Sequence, residues 1–166
     1  LTIEVIDDGR GMAEEDMKKV ADPFFTTRKT RHVGLGLPLF AAAAERCNGD
    51  FKVEKAPGQG LRVKASFQHG HIDRAPLGDM TRTLLSFFMG EPSCDLLYVH
   101  HRNGKTFELD TRFVRKELSP IPLTHPEVRE WLRGYIEEGE EALLTAAGTK
   151  DEETPQTGVF QQPSNA

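Results

Sequence analysis

Apolar and polar residues alternate over residues 1–6, with Leu1, Ile3 and Val5 set against Thr2 and Glu4, the period of a half-buried strand. Residues 13–21 predict a short helix. Glu14, Glu15 and Asp16 stand near its start and Lys18 and Lys19 near its end, which suits the helix dipole, and Asp22-Pro23 stops it. Residues 26–33 hold Arg28, Lys29, Arg31 and His32 with almost nothing apolar, so they read as a loop. Gly36–Arg46 predicts the next helix: Pro38 is tolerated in a first turn, Ala41 to Ala44 propagate it, and Asn48-Gly49 ends it. Phe51–Lys55 and residues 61–67 then form a hairpin around Pro57-Gly58-Gln59-Gly60, with Leu61, Val63, Ala65 and Phe67 on one side of the second strand. Strand, helix, loop, helix, strand and strand in this order predict an α/β (α+β) two-layer sandwich, a mixed sheet with helices on one face.

A polar stretch over 69–78 leads to a second pattern. Asp79 can cap a helix whose apolar positions Met80, Leu84, Phe87 and Phe88 share a face. Residues 95–102 and Lys105–Asp110 flank Asn103-Gly104, a strong hairpin signal, with Asp95 and Asp110 read as solvated strand ends. Thr124 and Glu127 suit a capping box for a helix running to about Ala147, striped by Val128, Trp131, Leu132, Tyr135 and Ile136. The expected organisation is a domain over 1–68, a small αββα extension over 69–147, and a polar tail over 148–166 too poor in apolar residues to fold.

Composition narrows the function classes. At 166 residues the chain holds one ordinary domain or one plus an appendage. A hydrophobic content of 37% and a net charge of −5 fit a soluble protein and offer no basis for a nucleic-acid surface. No apolar run approaches the roughly 20 residues a membrane span needs, and no secretory signal stands out. Cys47 and Cys94 lie far apart without a CxxC spacing, which argues against disulfide and zinc and makes a reducing cytoplasm the expected compartment. His69 and His71 have no third ligand nearby, and His100 and His101 point to opposite faces of a strand, so no metal ligand is assigned. The chain opens on Leu1 inside a strand pattern, as a fragment lacking an upstream part would.

The chemistry lies in three glycine- and phenylalanine-bearing stretches. Binding a purine nucleotide without a P-loop needs a fixed acceptor for the exocyclic amine, and a carboxylate at a strand end supplies one: Asp7 is so placed. Gly9 and Gly11 let the backbone approach a flat base without a Cβ in the way, with Met12 beside them. Gly34, Leu35, Gly36 and Leu37 open a helix, where unpaired amides and the dipole favour phosphate. Lys29 and Arg31, with Arg28, can fold over that phosphate as a lid. Phe24 and Phe25 read as anchors of the lid base.

Asp7-Asp8-Gly9-Arg10-Gly11-Met12, Asp22-Pro23-Phe24-Phe25-Thr26-Thr27, Gly34-Leu35-Gly36-Leu37 and Pro57-Gly58-Gln59-Gly60, in that order, resemble the GHKL ATPase superfamily of gyrase-type topoisomerases, heat-shock chaperone ATPases, mismatch-repair ATPases and sensor histidine kinases. The likeness covers residues 1–67 and is greatest to histidine-kinase-type members. It implies that Asp7 binds the adenine amine, that the glycines frame base and phosphates, and that residues 26–33 form the ATP lid. It also implies Mg²⁺, held by an asparagine on a helix that would precede Leu1, so no catalytic residue is assigned within the chain. His32 stands where the family's second glycine box usually has its first glycine, which implies an altered lid geometry. The intact protein is expected to bind ATP and act as a kinase or ATP-dependent regulator. The alternative is a non-catalytic, nucleotide-gated module whose residues 79–147 engage a protein partner. Homodimer formation stays open.

Overall fold

A computed structural model describes residues 1–22, 35–90 and 93–144, and the chain divides into two units, Leu1–Gly78 and Asp79–Ala166. The phenylalanines 24 and 25, the loop 26–33 and the tail from 148 lie outside the described residues. In the first unit, β1 (Thr2–Ile6), β2 (Phe51–Lys55) and β3 (Leu61–Ser66) form a sheet ordered β1-β3-β2. Ile3 and Phe51 both stand opposite Ala65, and Val5 and Val53 both stand opposite Val63. Opposed residues project to the same side, so one face is apolar. The other carries Glu4, Lys52, Glu54, Arg62 and Lys64, with Arg62 Nε 3.1 Å from Glu4 Oε1.

The sheet is antiparallel at both pairings, which corrects the mixed sheet expected from the pattern. β1 and β2 do run in the same direction, as strands joined through helices should, but β3 returns between them. No two parallel strands are therefore neighbours.

α2 (Gly36–Arg46) covers β2 and β3 with Pro38, Ala41 and Ala44 buried. Two alanines at this spacing bring the helix close, and the Phe40 ring fills the remaining gap, 6.0 Å from Phe51 and 5.9 Å from Phe67. The helix ends where Asn48 turns at φ 51° and the Gly49 N–H reaches back to the Ala44 carbonyl at 2.9 Å. α1 (Glu14–Met17) is shorter than expected: beyond Met17 the chain continues in three-residue turns, Lys19 N–H to Asp16 and Asp22 N–H to Lys19, around a single buried side chain, Val20.

The second unit runs α3 (Met80–Gly90), β4 (Leu97–Arg102), β5 (Lys105–Asp110), α4 (Thr111–Leu118) and α5 (Pro126–Leu144). Asp79 caps α3 as its position implied, accepting from the Arg82 N–H at 2.9 Å. The face that α3 buries is Thr81, Leu84, Leu85 and Phe88, leaving Met80 and Phe87 half-buried. Against it and the hairpin lies α5 through Val128, Leu132, Ile136 and Leu143.

Three expectations are corrected here. The extension carries an additional helix, α4, so its order is αββαα among the described residues. Asp110 is not a solvated strand end: its side chain is 5% exposed, accepts from the Arg112 N–H at 2.9 Å as the N-cap of α4, and grips the Arg112 guanidinium. α5 starts at Pro126, with the His125 carbonyl accepting from Arg129, one residue later than a Thr124 cap would place it. Proline at the first helical position, whose missing N–H costs nothing there, decides that start.

Candidate nucleotide site

β1 ends into Asp7, whose own N–H is bonded to the Leu61 carbonyl at 2.9 Å, so β3 holds the backbone from which the carboxylate springs. The Gly9 N–H donates to Asp7 Oδ1 at 2.9 Å, an Asx-type turn that fixes the carboxyl group while leaving the side chain exposed. Among the described residues Oδ2 has no hydrogen-bond partner.

The turn packs backbone on backbone. Gly60, buried and at φ +100°, lies so close that an added Cβ would fall on the Asp7 carbonyl. Gly11, at φ +70°, faces the Gly60 backbone, where an added Cβ would meet its oxygen at 3.4 Å. A side chain at Gly60 would collide with the Asp7 backbone, whereas at Gly11 a Cβ would make an ordinary contact and the positive φ is what favours glycine.

Beside this turn is a depression of about 380 Å³ lined by Asp7, Gly9, Arg10, Gly11, Met12, Ala13, Asp16 and Leu61. It brings together Asp7, Gly9, Gly11 and Met12 from the set read in the sequence. Leu35, Gly36 and Leu37 are at the start of α2 and are not among its lining residues; Lys29, Arg31 and Gly34 lie outside the described residues. Leu35 is the N-cap with no side-chain bond, and the first helical bond runs from Leu39 N–H to the Leu35 carbonyl. Because Pro38 has no N–H, the first-turn donors there are the Gly36 and Leu37 amides.

Sequence reading assigned no role in the site to Gly60, Leu61, Arg10 or Asp16. The signal for Gly60 was present in Pro57-Gly58-Gln59-Gly60, but its contact with Asp7 arises only when β3 pairs with β1.

Lys55 Nζ lies 2.8 Å from Glu14 Oε1, ties the end of β2 to the start of α1, and holds the Glu14 carboxyl below the usual carboxylate range. No group of three or more His, Cys, Asp or Glu side chains is placed to hold a metal ion among the described residues.

The second unit has its own polar cluster. Glu140 of α5 accepts from Tyr98 Oη at 2.8 Å and lies 2.9 Å from His100 Nδ1, and burial with this bond pushes the Tyr98 phenol up. His101 points elsewhere, to Thr106 Oγ1 at 2.8 Å. Trp131 and Tyr135 stack at 5.3 Å while remaining 51% and 40% exposed.

Comparison with known proteins bears on the first unit. The family of histidine kinase-, DNA gyrase B-, and HSP90-like ATPases matches residues 1–71. The chain is 38% identical over 58 residues to sporulation kinase C of Bacillus subtilis (strain 168), covering 35% of this chain and 13% of that protein. It is 37% identical over 68 residues to the sensor histidine kinase CpxA of Escherichia coli (strain K12), 38% of this chain and 15% of CpxA. An anti-sigma F factor of Thermoanaerobacter sp. (strain X514) is 37% identical over 65 residues, 39% of this chain and 41% of that factor. The chain thus spans less than half the length of each of these relatives. No solved structure matches it. No helix among the described residues is long and apolar enough to cross a membrane. Domains of the matching family bind ATP with Mg²⁺. On the family match and these relatives, the stretch 1–71 is a histidine kinase-, DNA gyrase B-, and HSP90-like ATPase domain.

Proposed function

We propose that the first unit grips ATP at two ends. Asp7 Oδ2 accepts the exocyclic amine of adenine, and Gly9, Gly11 and Met12 frame the base. Lys29, Arg31 and Gly34 to Leu37 take the phosphates, the Gly36 and Leu37 amides as donors at a helix start. The glycine-lined turn at Asp7 suits a flat ring, since a Cβ at Gly9 would crowd Asp7 Oδ1. The metal that accompanies ATP would bring charge neutralisation for the phosphates; among the described residues no group of three or more His, Cys, Asp or Glu is placed to hold it. In the intact protein this binding drives a kinase or an ATP-dependent regulator. This reading puts the protein in the cytoplasm.

The observation carrying the proposal is the Asp7 carboxylate, tethered by Gly9 at the rim of the depression. Calorimetry on the intact protein tests it. Asp7→Asn is expected to weaken ATP about tenfold or more, because a charge-assisted bond is replaced by an amide that can turn either end to the amine. Lys52→Ala, on the polar sheet face, should stay within about twofold of wild type. Equal ATP affinity in the wild type and Asp7→Asn would sink the proposal.

A second reading is a regulatory module in which ATP sets a conformation and residues 79–147 engage a protein partner. It is favoured by the anti-sigma F factor, which is matched over a larger share of its length than the kinases are. Robust phosphate transfer by the intact protein to a protein substrate would count against it.

A further inference from the structure

We propose that Gly60, at the end of the β2–β3 turn, is the positioning residue for the Asp7 carboxylate, and that the turn rather than β1 alone sets where adenine is recognised. The inference rests on the reading of Asp7 as the amine acceptor. Three contacts carry it. The Asp7 N–H is bonded to the carbonyl of Leu61, the residue following Gly60. The Gly60 Cα lies against the Asp7 carbonyl so tightly that any Cβ would occupy the oxygen's place, and that Cβ would also stand 3.0 Å from Asp7 Oδ1. Gly60 is in turn fixed from the other side, its carbonyl accepting from the Ala56 N–H at 3.2 Å. The peptide that begins the carboxylate-bearing turn is thus bonded to one residue of β3 and abutted by its neighbour.

A side chain at Gly60 must move something, and the neighbour in the way is backbone, which cannot rotate aside as a flexible side chain could. The movement falls on Asp7, because its carbonyl and Oδ1 are the contacts. The turn contains an internal control. Gly58 also has a positive φ, +89°, but nothing lies within 4 Å of where its Cβ would be. A substitution there carries the left-handed strain without the collision.

The test compares ATP with purine riboside 5′-triphosphate, which lacks only the exocyclic amine, by calorimetry on the full chain. Wild type should prefer ATP by about tenfold or more. Gly60→Ala should bring that preference down toward unity, whereas Gly58→Ala should keep it. A general loss of structure would weaken both nucleotides alike and leave the ratio standing, so the ratio isolates positioning. The Gly9 amide resonance, bonded to Asp7 Oδ1, should shift in Gly60→Ala and not in Gly58→Ala.

If Gly60→Ala does not fold, Gly60→Asn carries the same Cβ on a side chain more at ease at positive φ. If neither folds while Gly58→Ala does, Gly60 is a requirement of the fold and the positioning role is overturned. Asp7→Asn separates this inference from the reading beneath it. A full ATP preference in Asp7→Asn defeats the reading of Asp7 itself. Loss of preference in Asp7→Asn with retention in folded Gly60→Ala or Gly60→Asn defeats the positioning role alone.

Discussion

Two aspartates, each at a strand end, carry opposite burdens. Asp7 is exposed and makes one local bond, whereas Asp110 is almost fully buried and makes several. The Arg112 guanidinium, 2.6 Å from Asp110 Oδ2, holds the Asp110 carboxyl below the usual carboxylate range against the opposing effect of burial. A carboxyl whose folded pKa is depressed stabilises the fold above its unfolded pKa of about 4, and that stability is lost as pH falls through the folded value. Asp110→Asn keeps a capping side chain and removes the charge. Arg112 is largely exposed, so solvent screening keeps the pair's share modest, about 1 kcal/mol or less. Urea unfolding should show Asp110→Asn less stable than wild type at pH 7, with the gap closing toward pH 3. Asp110→Ala loses the cap as well and should cost about 1–2 kcal/mol at neutral pH. A gap between Asp110→Asn and wild type that persists unchanged at pH 3 would contradict this assignment. In the sequence Asp110 reads as a solvated strand end, because Lys105–Asp110 ends there whether or not a helix follows.

At the scale of elements, what could be read depended on period and punctuation. Asn103-Gly104 between two runs gave away β4 and β5, and Asp79 announced α3. α4 escaped because it is only eight residues long and its core-facing stripe is short, Thr111 buried with Val114 and Leu118 half-buried against the core, while Phe113 stays exposed. The sheet's pairing was hidden for a different reason: periodicity shows which residues share a face, but not which strand lies between two others. α5 contains a contrast that a propensity scale cannot anticipate. Gly134 and Gly139 sit in the same helix, and replacing a mid-helix glycine by alanine usually gains about 0.5–1 kcal/mol. Nothing lies within 4 Å of an added Cβ at Gly134, whereas at Gly139 it would run into the Phe107 ring. Thermal unfolding should therefore find Gly134→Ala stabilised by that amount. Gly139→Ala should be destabilised by about 1–3 kcal/mol as α5 is pushed off β5. Changes of the same sign at both sites would refute the close packing of this helix on the hairpin.

Across the whole molecule, the ATP-binding stretch was the legible half, since backbone approach to a base and to phosphate demands glycines at fixed places in chain order. Missing from the sequence was the meeting of Asp7 with Gly60, residues that only the folded sheet makes neighbours. If ATP binds as proposed, linkage sets a scale: at about a hundred times its Kd it adds about 2.7 kcal/mol to the stability of the unit that holds it. Hydrogen exchange should show that gain at amides of β1 and β3, and unchanged exchange there at saturating ATP would speak against binding in this unit. The order β1-β3-β2 has a further consequence for how the chain comes to bind at all. β3 is the last of the three strands in sequence and the one in the middle, so Ile6 reaches Arg62 only after a long loop has closed. On the proposed reading of Asp7, affinity for adenine is then a late acquisition of refolding: a chain with β1 and α2 formed but β3 undocked carries Asp7 and every glycine of the first signature, and still lacks the seat proposed for the acceptor.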